Sequence, residues 1–199
     1  MTLRIKHHVR TLVALLTLVA ASTPALAQDS GWYGGLGLGM STAKGACDGV
    51  VGPGISCDEK STAFKILGGY QVNQNFAVEL GYTDLGKVEA SFAGFGSVSI
   101  AASGFEVLAV GMTPINQQWS MYGKAGFFRW DVDFNDGTGL LGSASASGSD
   151  LTYGFGVKYN LAKNSALRVE YQQYNDVGDF NTTGTADVTV MSISLIHRF

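Results

Sequence analysis

The chain has 199 residues, with 13 Lys and Arg against 16 Asp and Glu, 27 glycines, three prolines and two cysteines. That length suits one domain, and the acidic balance excludes nucleic acid as a natural partner. Beyond the first residues, no stretch has the apolar length of a membrane helix.

Residues 1–27 read as a cleaved secretory signal peptide, leaving 28–199 as the mature domain. Arg4, Lys6 and Arg10 form a basic start, Thr11 to Ala21 a short apolar run, and Ala25-Leu26-Ala27 a small-residue cleavage site. The run is too short to span about 30 Å of hydrocarbon as a helix. Its removal leaves 10 of the 13 basic residues against 16 acidic ones, a net charge near −6. Export places Cys47 and Cys57 in an oxidising compartment, so they are expected to form a disulfide. A metal site there would need further ligands, and no His or third Cys is near.

The mature chain divides into eight segments of period-2 alternation. The first, Trp32 to Ser41, sets Leu36, Leu38 and Met40 against Tyr33, Gly35, Gly37 and Gly39. Ala63 to Val72, Phe76 to Leu85, Ile100 to Met112 and Trp119 to Asp131 follow. Leu151 to Leu161 alternates most regularly, Ala166 to Asn175 sets Leu167, Val169 and Tyr171 against Arg168, Glu170 and Gln172, and Val188 to Phe199 closes the chain. Each segment is about ten residues, the length of a tilted strand crossing a bilayer. The links at 73–75, 113–118 and 162–165 are short and carry turn-forming Asn, Pro and Ser. Those at 42–62, 86–99, 132–150 and 176–187 are long, and the third, rich in Gly and Ser, reads as flexible. Four long and three short links are what an eight-stranded antiparallel up-and-down transmembrane β-barrel requires when both termini are periplasmic.

A soluble barrel would turn its apolar register inward. The opposite sense is expected here, because glycines and mixed charges (Lys65, Glu79, Glu106, Lys124, Lys158, Arg168, Glu170) share the polar register. Opposite charges can pair within a narrow lumen. Trp32, Tyr70, Phe76, Tyr82, Trp119, Tyr159 and Tyr171 would then supply aromatic girdles at the two interfaces, although strands favour aromatics in any case.

The last strand, with alternating apolar residues behind a terminal Phe199, resembles the closing strand of bacterial outer-membrane β-barrels, although His197 stands where a second aromatic is usual. That resemblance implies that Phe199 belongs to the signal read by the barrel assembly machinery. Gly31-Trp32-Tyr33-Gly34-Gly35, Phe76 to Gly86 (FAVELGYTDLG), Tyr122 to Trp130 (YGKAGFFRW) and Leu167 to Asp179 (LRVEYQQYNDVGD) resemble strands of the OmpA-like transmembrane domain. The resemblance implies an interior ion-pair network of Glu79, Lys124 and Glu170, with Arg168 on the same face by parity. Such a network either gates an ion path or only fills the lumen. The chain stops at its closing strand, so it is expected to be a barrel-only member, without a cell-wall-binding domain.

These features imply an integral outer-membrane barrel, structural or weakly pore-forming. The alternative is a barrel whose outer loops, which carry Phe92, Phe95, Phe134 and Phe180, bind a host factor or phage. A lipid-modifying enzyme would need a rim base. The histidines are His7 and His8, in the leader, and His197 at the periplasmic end, so no catalytic residue, metal ligand or cofactor site is assigned. Lipid and lipopolysaccharide are the expected surroundings. Arg129, on the outward register, either contacts lipopolysaccharide phosphate or is turned inward by a bulge.

Overall fold

The computed structural model describes residues 30–49, 52–94, 96–138, 142–179 and 182–199. Residues 1–29, among them His7 and His8, and the loop aromatics Phe95 and Phe180 lie outside them. The described residues form nine strands: β1 (Gly31–Ala43), β2 (Ile55–Asp58), β3 (Lys60–Gln71), β4 (Phe76–Phe92), β5 (Gly96–Pro114), β6 (Trp119–Asp136), β7 (Ala144–Ala162), β8 (Ser165–Val177) and β9 (Ala186–Arg198). Eight of them run β4-β3-β1-β9-β8-β7-β6-β5, and β5 pairs back with β4 to close the ring. Every pairing is antiparallel, and closure leaves the barrel no open edge. The ninth strand, β2, is a four-residue addition that pairs with the far end of β4, from Ile55↔Phe92 to Asp58↔Glu89.

Side chains sort by parity. On β1, Leu38 is 61% exposed while Tyr33 is buried; on β4, Leu80 is 60% exposed while Glu79 is 1% exposed. Phe127 and Phe155 project outward, and Lys65, Glu106, Lys124 and Arg168 are buried inside. A soluble barrel would show the reverse, so the soluble alternative is excluded. The aromatics pair across strands near the two ends: Trp32 with Tyr70 (ring centroids 5.0 Å apart) and Trp119 with Tyr159 (4.7 Å) on one side, Tyr82 with Phe105 (5.1 Å) on the other.

Two periplasmic turns use the same device. The Asn73 side-chain oxygen accepts from the amides of Asn75 (2.8 Å) and Phe76 (2.9 Å), and that of Asn116 from Gln118 (2.9 Å) and Trp119 (2.8 Å). These side-chain bonds hold the tight reversal that each hairpin needs.

The opposite end differs from the sequence expectation. The stretch 132–150, read as a flexible loop, is mostly ladder: β6 continues to Asp136 and β7 begins at Ala144, with register held as far as Phe134↔Ala144. The β4 and β5 strands likewise extend to Phe92↔Gly96. Backbone pairing does not stop where the bilayer does, so the strands run longer than the apolar belt. A bulge between Asp84 and Lys87 bends β4 at the change of level. Gly86 sits in it at φ 76°, and its ideal Cβ would lie 2.2 Å from Ser61 Oγ, so only glycine fits.

Cys47 and Cys57 form a disulfide with Cα atoms 5.8 Å apart. It ties the turn after β1 to β2, and so to the projecting β4–β5 hairpin. On that hairpin, the Lys87 ammonium 3.1 Å from the exposed Glu89 carboxylate holds that carboxyl below its usual range.

Candidate functional site

The strand pattern aims a stack of polar side chains into the lumen. Three cations and three carboxylates meet there, all nearly inaccessible: Lys65, Lys124 and Arg168 with Glu79, Glu106 and Glu170. Arg168 Nη1 lies 2.5 Å from Glu79 Oε1. Lys124 Nζ lies 2.7 Å and Lys65 Nζ 3.0 Å from Glu170 Oε1, and Lys65 Nζ also reaches Glu106 Oε1 at 3.3 Å.

Neutral side chains extend the network. Tyr33 donates to Glu79 (2.6 Å), Tyr122 to Glu170 (2.9 Å) and Gln172 Nε2 to Glu106 (2.8 Å), while Gln172 Oε1 accepts from Lys65. The Arg168 guanidinium is 5.3 Å from the Tyr33 ring centroid and 5.0 Å from that of Tyr122. Equal numbers of opposite charges let each carboxylate find a cation, the condition under which burying an ion costs least. Immediately outward, Phe128 and Tyr174 meet edge to face, 4.6 Å between centroids, and Tyr174 donates to Glu106 at 3.2 Å.

The structure brings Glu79, Lys124, Arg168 and Glu170 into one lumen. Two salt-bridged members, Lys65 and Glu106, were absent from the network read by resemblance. Parity puts both on the interior face, but it names a face and not the partner across the lumen. Arg129 is exposed and outward-facing, opposite Phe105 and Ser149 in the ladder, and no bulge turns it inward. His197 is exposed, with Nδ1 3.3 Å from Ser165 Oγ and its ring 5.5 Å from that of Phe199. Among the described residues no group of His, Cys, Asp and Glu is arranged to hold a metal.

A closed barrel with apolar side chains facing outward and charges paired inside is a transmembrane β-barrel, because closure alone satisfies every strand's backbone within hydrocarbon. The family described as the OmpA-like transmembrane domain matches residues 27–199, and the chain belongs to that family. It is 32% identical over 207 residues to outer membrane protein A of Serratia marcescens, an alignment covering 96% of this chain and 56% of the relative. The chain thus spans about half the length of the curated relatives it matches.

Two solved structures share the fold at low identity. One is Neisserial surface protein A (14% identity, TM-score 0.62, covering 86% of this chain and 100% of that one). The other is Ail, the attachment invasion locus protein of Yersinia pestis (18%, 0.53, 85% and 97%). This protein is therefore a β-barrel of the bacterial outer membrane.

Proposed function

We propose that this protein is a closed structural barrel, exported by the leader over residues 1–27, which holds its surface hairpins above the outer membrane and conducts no ions. The six-charge lumen carries this reading. Its members come from β3, β4, β5, β6 and β8, so the bonds cross the whole section, and the Phe128–Tyr174 pair caps them. Small barrels are ordinarily filled by side chains in this way. No catalysis is attributed to the six-charge network, in which each of the six side chains is salt-bridged to another. Planar-bilayer recording tests the reading: wild type and Glu79→Ala should both lack discrete conductance steps. Steps that appear in Glu79→Ala would instead make the network a gate.

A second role follows from the projecting hairpins. They are ladder, and the β4–β5 hairpin is tied through β2 to the Cys47–Cys57 disulfide, a support for contact with an extracellular partner. The fold neighbour Ail is an attachment protein. Whole-cell adhesion with and without the β4–β5 and β6–β7 hairpin tips tests this role, and equal adhesion removes it.

Arg129 faces outward on β6, two residues beyond Phe127 and directly across the ladder from Phe105, and we infer that its guanidinium reaches the headgroups and pairs with lipopolysaccharide phosphate. Undiminished lipopolysaccharide binding by Arg129→Ala would end that assignment. Phe199, with the strand behind it, is the expected contact for the assembly machinery. Phe199→Ala should slow insertion of the newly exported chain.

A further inference from the structure

Above the bilayer the barrel wall reverses its sense. In the membrane-spanning part Phe105, Phe127 and Leu151 face out while Glu106 and Thr152 face in. Higher up, Asp131 and Asp133 on β6, Ser145 and Ser147 on β7 and Asp187 on β9 are exposed. At that level the inward positions are Val132 on β6, Ala146 on β7, Ala186 and Val188 on β9, and Ile100 and Ala102 on β5. The upper barrel is thus built like a soluble one, polar outside and apolar inside, stacked on a membrane barrel built the other way.

Its interior is a cup. The floor is the packed cluster of Phe128, Trp130 and Tyr174, with the charged lumen beneath. The walls leave a cavity of about 270 Å³, lined by Ala43, Leu85, Ile100, Ala102, Val132 and Val188 among others. Three of the four hydroxyl side chains among the described lining residues are already bonded to the protein. Ser41 Oγ donates to the Leu85 carbonyl (2.6 Å), Ser61 Oγ accepts the Lys87 amide (3.0 Å), and Thr183 Oγ1 accepts the Asp179 amide (3.0 Å). Among the described lining residues the only charged ones are Glu59 and Lys87. Such a wall gives water few partners, and an enclosed apolar cavity of about 150 Å³ takes up benzene. A cavity nearly twice that size matches two fused rings.

We propose that this cup is a binding site for a compact, uncharged apolar molecule of about the size of naphthalene, entering from the external medium. The site is separate from the lumen and does not depend on whether the barrel conducts.

The test uses the protein in phospholipid nanodiscs, labelled at Leu, Ile and Val methyls, with naphthalene as the probe. Binding in the cup should give saturable shifts at Leu85, Ile100, Val132 and Val188, beyond the non-saturable drift of lipid-facing Leu36 and Leu195. Ala102→Leu puts three carbons into the cavity and should weaken the affinity about tenfold or more. Ala186→Leu fills it from another strand and decides the matter if Ala102→Leu fails to fold, as judged by unheated gel mobility. Three results would each overturn the proposal: no saturable shifts in wild type, equal affinity in the filled variant, or contacts in the ligand-free protein that place residues 139–141 or 180–181 inside the cup.

Discussion

Arg168 and Glu79 sit on diametrically opposed strands. Three strands separate β8 from β4 in either direction round the ring, yet the two side chains meet at 2.5 Å. Each spans half the lumen, so this one ion pair braces the barrel across its full width. Lys65 repeats the arrangement on a chord, reaching from β3 to Glu170 on β8 and to Glu106 on β5.

Removing one half of the brace should cost far more than removing both. Glu79→Ala leaves a buried guanidinium without its carboxylate, and the loss in unfolding free energy should be about 3–5 kcal/mol. Urea titration in lipid vesicles reads it. The double variant Glu79→Gln with Arg168→Met should recover more than half of that loss. A single variant within about 0.5 kcal/mol of wild type would show that the pair contributes nothing to stability.

Tyr33 reaches Glu79 only because its ring lies over Gly69. An ideal Cβ at residue 69 would come within 2.4 Å of Tyr33 Cζ. Gly69→Ala should displace the ring, break the hydrogen bond to Glu79, and cost about 1–3 kcal/mol. In that background Tyr33→Phe should add little, since the hydroxyl has already lost its partner. Additive losses would show that the two positions act separately.

The position of the bilayer is testable by charge insertion. Leu80 is 60% exposed between the two aromatic levels, so Leu80→Arg should cost about 2–4 kcal/mol. Asp133→Arg, on the hairpin above, should stay within about 0.5 kcal/mol. Equal costs at the two positions would contradict the polarity reversal of the wall.

Loss of the disulfide should be felt locally. In the loop-entropy model a closure of separation 10 contributes about 3 kcal/mol, here to the arm of the first loop. Cys47→Ser with Cys57→Ser should leave the heat-dependent gel shift of the barrel unchanged and expose residues 44–60 to protease on intact cells. Unchanged protease resistance would mean that the β2–β4 ladder suffices without the bond.

The membrane-spanning fold was legible because one rule governs all of it: bilayer outside, polar groups inside. That rule placed Leu38 outside and Lys65 within from parity alone. It fails above the bilayer, where Ser145 to Ser149 alternates serine outward with alanine or glycine inward. The contrast is faint and of opposite sign, and it resembles a polar loop. The β2 strand was missed for a related reason, since four residues carry too few alternations to register as a period. In the lumen, six charges on one face admit many pairings, and only the stagger of the strands selects those that form.

The reversed upper wall separates two design problems that most membrane proteins must solve together. The hairpins above the bulge obey the grammar of water-soluble sheets, so they can lengthen or shorten without disturbing the lipid-facing belt, provided residues are added or removed in pairs on each strand. A foreign peptide spliced at the β4–β5 tip in even steps would ride on an intact scaffold. One odd residue placed within a hairpin strand would turn that strand's oily side toward water.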